Sequence, residues 1–150
     1  MPHIDPKDNA EELAYAMAVM RGTLEATADG ILATDEHGRI TNLNTKFVEM
    51  WRMPQESVDL RDVQKFRTFI AQQLQNPVRY LARIAEIEVS REQSFDLLEL
   101  ADGRSIERYS EAISVGERVV GRVWSFRDVT QRQESVLIAR RLAAFTAVPS

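Results

Sequence analysis

The chain of 150 residues contains no cysteine and only two histidines, His3 and His37. Without a thiol there is no disulfide, no thiolate nucleophile and no cysteine-ligated zinc or iron–sulfur centre. Charge of one sign does not dominate. The 23 acidic against 19 basic side chains leave a net charge of −4, without the basic excess of a dedicated nucleic-acid binder. Apolar runs are short, well below the ~20 residues a membrane span needs. The opening stretch MPHIDPKDNAEE lacks the basic-then-apolar order of a signal peptide. Glycine is sparse and scattered at turns, which excludes a phosphate-cradling loop, and no serine sits in a glycine-framed elbow. What is present is a 44% hydrophobic composition, enough for one domain with its own core. These features predict a cytoplasmic, non-catalytic chain with no metal site; His37, beside Asp35 and Glu36, reads as part of a solvated turn.

Residues 1–8, with two prolines and three charges, read as a flexible leader. Residues 9–28 carry a helical pattern, capped by Asp8 or Asn9 and with Glu11 and Glu12 in its first turn. Leu13, Met17, Met20 and Leu24 are spaced four, three and four. That spacing suits a dimerising coiled-coil seam or a stripe docked on the chain's own domain. Two strands, 31–34 and 39–43, flank the turn Asp35-Glu36-His37-Gly38. Asn44 then caps a helix over 45–53 with Phe47, Met50 and Trp51 on one face, and Pro54 stops that helix or starts the next. Val63, Phe66, Ile70 and Leu74 recur at helical spacing, and Asn76-Pro77 opens a further helix to about Val89 with an expected stripe of Val78, Leu81, Ile84 or Ala85, and Val89.

Three strand patterns follow, 94–100, 105–115 and 118–128, separated by Asp102-Gly103 and Gly116-Glu117. Asp128 ends the last strand and caps a helix from Val129, with Gln131 at the reciprocal capping position. Ile138, Leu142 and Phe145 form that helix's apolar stripe. The predicted class is α+β: a five-stranded antiparallel sheet covered on one face by short helices, with helices flanking it at both ends.

Three strings in this order, LEATADGILATDEHGRITNLNTKF, LLELADGRSIERYSEAI and GRVWSFRDVTQRQ, resemble a PAS domain over about Thr23 to Gln133. The resemblance implies a core at 29–128, a linker helix at 129–150, and a sensory or dimerising module of the kind that precedes bacterial histidine kinases or diguanylate cyclases. No output domain lies in these residues, so the chain reads as a fragment or a stand-alone regulator, acting on an output domain in cis or on a partner signalling protein. A cysteine-linked chromophore is excluded, and residues 76–90 lack the histidine that ligates haem in relatives. Non-covalent flavin, a fatty acid, a small carboxylate or no cofactor stay open.

The resemblance also sets which strand face turns inward. Arg122, Trp124 and Phe126 would line the cavity, with Ile106, Arg108 and Ser110 beside them on the neighbouring strand. Arg108 and Arg122 would hold a carboxylate or phosphate, form internal ion pairs with Asp96, Glu107 or Glu111, or simply reach out at the sheet edge. Trp124 is expected to fill much of the space. Asp128 and Thr130 match the family's Asp-x-Thr element, which implies a coupling between last strand and exit helix; a plain N-cap is the simpler role. The sequence is compatible with three functions: a homodimeric signal-relay module, a small-molecule sensor and, from another class, a small α+β enzyme.

Overall fold

Pro6 opens the first helix, its fixed φ and missing N–H costing nothing at a helix start. The computed structural model describes residues 6–54 and 61–146. Helix α1 runs Pro6–Ala26, so it takes in the last residues of the predicted leader, and neither Asp8 nor Asn9 is its cap. Residues 1–5 and 147–150, and with them the outer parts of the expected leader and linker, lie outside the described residues. Strands β1 (Gly30–Asp35) and β2 (Ile40–Leu43) form a hairpin. Asp35 organises its turn: Oδ1 accepts from the backbone N–H of His37 at 2.8 Å and of Arg39 at 2.9 Å, while Gly38 supplies the positive φ of 80°.

Asn44 caps α2 (Thr45–Met50), accepting from the Phe47 N–H at 3.0 Å. This helix is shorter than the apolar spacing predicts. Arg52 adopts φ 50°, and Pro54 disfavours helical backbone at Met53, so Trp51 closes the helix instead of continuing it. Helix α3 (Val63–Ala71) is capped by Asp62, a cap the sequence analysis does not name. Helix α4 (Pro77–Glu88) is capped by Asn76 with Pro77 at its first position, as the sequence predicts. The buried stripe of α4 is a correction. Tyr80, Ile84 and Ile87 face inward, whereas Val78, Leu81, Ala85 and Val89 are exposed. Both stripes share Ile84, and the one holding Tyr80 buries more apolar area.

Strands β3 (Ser94–Glu99), β4 (Ser105–Val115) and β5 (Arg118–Asp128) complete the sheet, in the order β2-β1-β5-β4-β3 with every pairing antiparallel. Helix α5 (Thr130–Thr146) leaves from the end of β5, one residue later than predicted: Val129 still continues the strand pairing, donating its N–H to Ser105 O at 2.9 Å, while its carbonyl accepts the first helical bond from the Gln133 N–H at 2.9 Å.

Helices α2 to α4 cover one sheet face. Phe47, Trp51, Phe66 and Phe126 pack there, with the Phe126 ring 5.3 Å from Phe47 and 5.7 Å from Trp51, both edge-on. Each such burial contributes about 1.5–3 kcal/mol. The opposite face leaves Phe95, Leu97, Tyr109, Ile113 and Val115 exposed. Among the described residues no side chain of α1 is buried, and none of α5 from 131 to 145 is.

Candidate functional site

Strand alternation places all six expected pocket residues on the covered face, where Ile106, Arg108, Ser110, Arg122, Trp124 and Phe126 are buried. They do not form one open chamber. The space against Trp124 and Phe126, bounded by Leu32, Tyr80 and Ile84, is about 40 Å3, water-sized rather than cofactor-sized. Trp124 fills the middle. Its ring lies between two guanidiniums, Arg108 at 5.4 Å and Arg122 at 5.7 Å from the centroid, favourable cation–π distances. The indole N–H points to Thr34 Oγ1 at 3.4 Å.

The two arginines therefore line different cavities, each of about 250 Å3: Arg108 with Tyr80, Arg79 and Asp96, and Arg122 with Thr34, Glu88 and Ser90. Their hydrogen bonding differs as well. Every nitrogen of the Arg122 guanidinium donates: Nε to Ser110 Oγ at 2.9 Å, Nη1 to Ser90 O at 3.2 Å, and Nη2 to Glu92 O. Ser110 Oγ is in turn bonded to Ser94 Oγ. Arg122 thus clamps the link between α4 and β3. Burial pulls its pKa down, and the charge of Arg83 adds to this. Arg108 has one ion pair, Nη2 to Asp96 Oδ2 at 3.2 Å, and Asp96 Oδ1 also accepts from Arg83 Nε at 2.9 Å. Of the carboxylates considered from sequence, Asp96 is the partner; Glu107 pairs with Arg132 instead, and Glu111 accepts from Gln93.

Tyr80 and Arg83 were missed from sequence. The Tyr80 ring lies 5.4 Å from the Arg108 guanidinium carbon. Burial pushes the Tyr80 phenol up, against the opposing pull of the Arg108 and Arg67 charges. Its signal was the Tyr80, Ile84, Ile87 spacing of four and three.

The exit from the sheet forms a second cluster. Thr130 Oγ1 donates to Asp128 Oδ1 at 2.5 Å and accepts from the Ser105 N–H at 3.0 Å, while the Thr130 N–H donates to Asp128 Oδ1 at 3.0 Å. Asp128 closes on Thr130, and Gln131 makes no reciprocal bond to it among the described residues. An Arg132–Glu107 ion pair adds a further tie between α5 and β4.

The entrance is tied by Asn44, which does more than cap α2. Its Nδ2 donates to Leu24 O at 2.7 Å and Asp29 O at 2.9 Å, and its Oδ1 accepts from the Ile31 N–H at 2.8 Å. The expected seam residues Leu13, Met17 and Met20 of α1, and Ile138 and Leu142 of α5, are exposed, and Leu24 is half-buried at the base of α1. His37 is exposed beside Glu36. Among the described residues no helix is long and apolar enough to cross a membrane, and no group of three His, Asp or Glu side chains is placed to hold a metal.

Solved structures share this arrangement at low sequence identity. The chain superposes on the PAS domain of Bordetella pertussis BvgS with a TM-score of 0.60 at 15% identity, covering 86% of this chain and 97% of that one. It matches the sensor region of a sensor histidine kinase at TM-score 0.56 and 12% identity, covering 69% of this chain and 40% of that one. It matches a domain of a putative light and redox sensing histidine kinase from Haloarcula marismortui at TM-score 0.51 and 18% identity, covering 75% and 98%. No curated protein sequence matches. The family model described as the PAS fold matches residues 18–129. With that span matched and the fold shared with solved PAS domains, the chain belongs to the PAS fold family, whose members are sensory and in general non-catalytic domains.

Proposed function

We propose that this chain is a non-catalytic, homodimeric relay module, passing a change in its sheet to a C-terminal output helix as in bacterial histidine kinases or diguanylate cyclases. The observation that carries this reading is the position of Thr130, the first residue of α5, hydrogen-bonded both to Asp128 at the end of β5 and to Ser105 at the start of β4. A shift of either strand would be felt at the first turn of the helix. The exposed Leu13, Met17 and Met20 on α1, and Ile138, Leu142 and Phe145 on α5, support a dimer built from the flanking helices, since such apolar rows are stable once covered. The output would be a further domain of the same polypeptide or a separate signalling protein.

The test uses the absence of native cysteine: Arg140→Cys carries one spin label per protomer. Native mass spectrometry gives the oligomeric state, and electron–electron resonance gives the distance between the two α5 helices. Asp128→Ala and Thr130→Val should move that distance, and Thr130→Ser should restore it. A bare monomer overturns the dimer. An unchanged distance with only a lower melting temperature reduces Asp128 to a cap worth ~1 kcal/mol.

A further inference from the structure

Arg108 has no exposed surface, yet among the described residues its Nε and Nη1 have no acceptor at hydrogen-bond distance. A charged group with idle buried donors is rare, because each unpaired donor has lost its hydration and gained nothing in return. The tyrosine and tryptophan ring faces attract the cation, and the Tyr80 hydroxyl adds a hydrogen-bonding interaction with the guanidinium that still leaves Nε and Nη1 without a partner at hydrogen-bond distance. Asp96 cannot supply the remaining pairing. Its Oδ2 meets only Nη2, and its Oδ1 is held by Arg83 on α4.

This guanidinium lines a cavity of about 250 Å3 together with Asn76, Arg79, Tyr80, Asp96 and Glu99. The positive end of α4 opens there, with Asn76 Oδ1 occupied by the Arg79 N–H at 3.1 Å. The Arg79 guanidinium has no ion-pair partner among the described residues. The volume is just under the ~300–1,000 Å3 of sites for drug-sized ligands, which sets the scale at a few carbons.

We infer that this cavity is a binding site for a small monocarboxylate, held by Arg108 at the position that the Asp96 carboxylate now partly fills. A planar carboxylate can meet two guanidinium nitrogens at once, which Asp96 does not. Because Arg108 has no surface open to water, the ligand reaches it by displacing Asp96, which keeps Arg83 as its partner and is not stranded. A singly charged anion suits the site better than a phosphate dianion, because Asp96 and Glu99 face the same space. Ligand binding would loosen the Arg108–Asp96 link between β4 and β3. Arg108 is the inward neighbour of Ile106, which pairs with Asp128 across β5, so the site adjoins the exit cluster. As a stimulus, such a ligand presupposes the relay role proposed above; the binding itself does not.

The experiment is an NMR titration of the intact 15N-labelled protein with acetate and propionate, at ionic strength held constant with chloride, with inorganic phosphate as the dianion comparison. The Nε–H resonances of Arg108 and Arg83 should shift together and saturate. Asp96→Asn, which neutralises the internal competitor, should tighten binding by about ten- to a hundredfold. Arg108→Met should abolish it; should that variant not fold, Arg79→Met, at an exposed position, is expected to weaken binding a few-fold. Absence of a saturable Arg108 shift in both the native and the Asp96→Asn proteins overturns the site. Affinity unchanged by Asp96→Asn overturns the competition, and phosphate binding as tight as acetate overturns the ligand class. None of these results touches the α5 distance measurement, so failure of the site and failure of the relay are separable.

Discussion

The Asp29 carboxylate and the Arg127 guanidinium meet in two parallel hydrogen bonds, Nε to Oδ1 at 2.9 Å and Nη2 to Oδ2 at 3.2 Å. Asp29 lies between α1 and β1, and Arg127 directly precedes Asp128. Because Asn44 holds both Leu24 O and Asp29 O, the base of the entering helix is linked through one ion pair to the base of the leaving helix. The two flanking helices thus share an anchor at the end of β5.

Arg127 is exposed, so its ion pair is screened and adds little to stability. Arg127→Met should leave the melting temperature nearly unchanged but broaden the distance between labels at Ala18→Cys on α1 and Arg140→Cys on α5. A distance distribution as narrow as the parent's would show the pair to be surface decoration only.

Asn44 is buried, and removing its amide strands the N–H groups of Ile31 and Phe47 and the carbonyls of Leu24 and Asp29. Asn44→Ala should cost about 2–4 kcal/mol in urea unfolding, given ~1–3 kcal/mol for a buried unsatisfied group. Asn44→Asp keeps the two acceptor roles but turns the carbonyl contacts repulsive. Hydrogen exchange should then rise in residues 24–29 before it rises at Phe47.

Tyr80 carries a pH dependence. Burial raises its folded pKa above the ordinary 10.0. The stability linked to keeping this phenol neutral is fully present below pH 10 and is lost as pH climbs from there towards the folded value, because the unfolded chain ionises first. Alkaline titration should show this loss in the parent and a shallower decline in Tyr80→Phe, measured by urea midpoints at successive pH values. Equal slopes for the two proteins would remove Tyr80 from the account.

Gly121 faces Asp35 in the β1–β5 ladder, and a Cβ there would sit 2.2 Å from Thr34 O. Backbone cannot yield that far without opening the pairing, so Gly121→Ala should cost about 2–4 kcal/mol. Gly22, with nothing within 4 Å of its would-be Cβ in α1, provides the opposite case. Gly22→Ala should stabilise α1 by up to about 1 kcal/mol. Thermal melts of the two variants should move in opposite directions.

Much of the fold is legible in the sequence because its signals are local. The period-two pattern of β4 and β5, the turns at Asp35–Gly38 and Gly116-Glu117, and the Asn44 and Asn76-Pro77 caps each depend on a few adjacent residues. That Ile106, Arg108 and Ser110 share one face follows from the same alternation, while the resemblance to PAS domains is what turns that face inward. The stripe of α4 is not legible in the sequence, because Val78–Leu81–Ile84 and Tyr80–Ile84–Ile87 both satisfy helical spacing and the choice depends on what the helix lies against. The end of α2 at Met50 is not legible either, because the apolar face continues through Trp51 while the helical backbone does not.

The sequence by itself determined the absence of thiol chemistry, the strand count and parity, and the presence of two arginines on the covered face. Only the tertiary structure decided how those arginines differ. Strand register puts Trp124 between them, and the α4–β3 link supplies carbonyls to Arg122 but not to Arg108. Those carbonyls lie about thirty residues away along the chain. Hydrogen-bond satisfaction depends on distances of a fraction of an ångström between such remote groups, which no periodicity in the chain can encode.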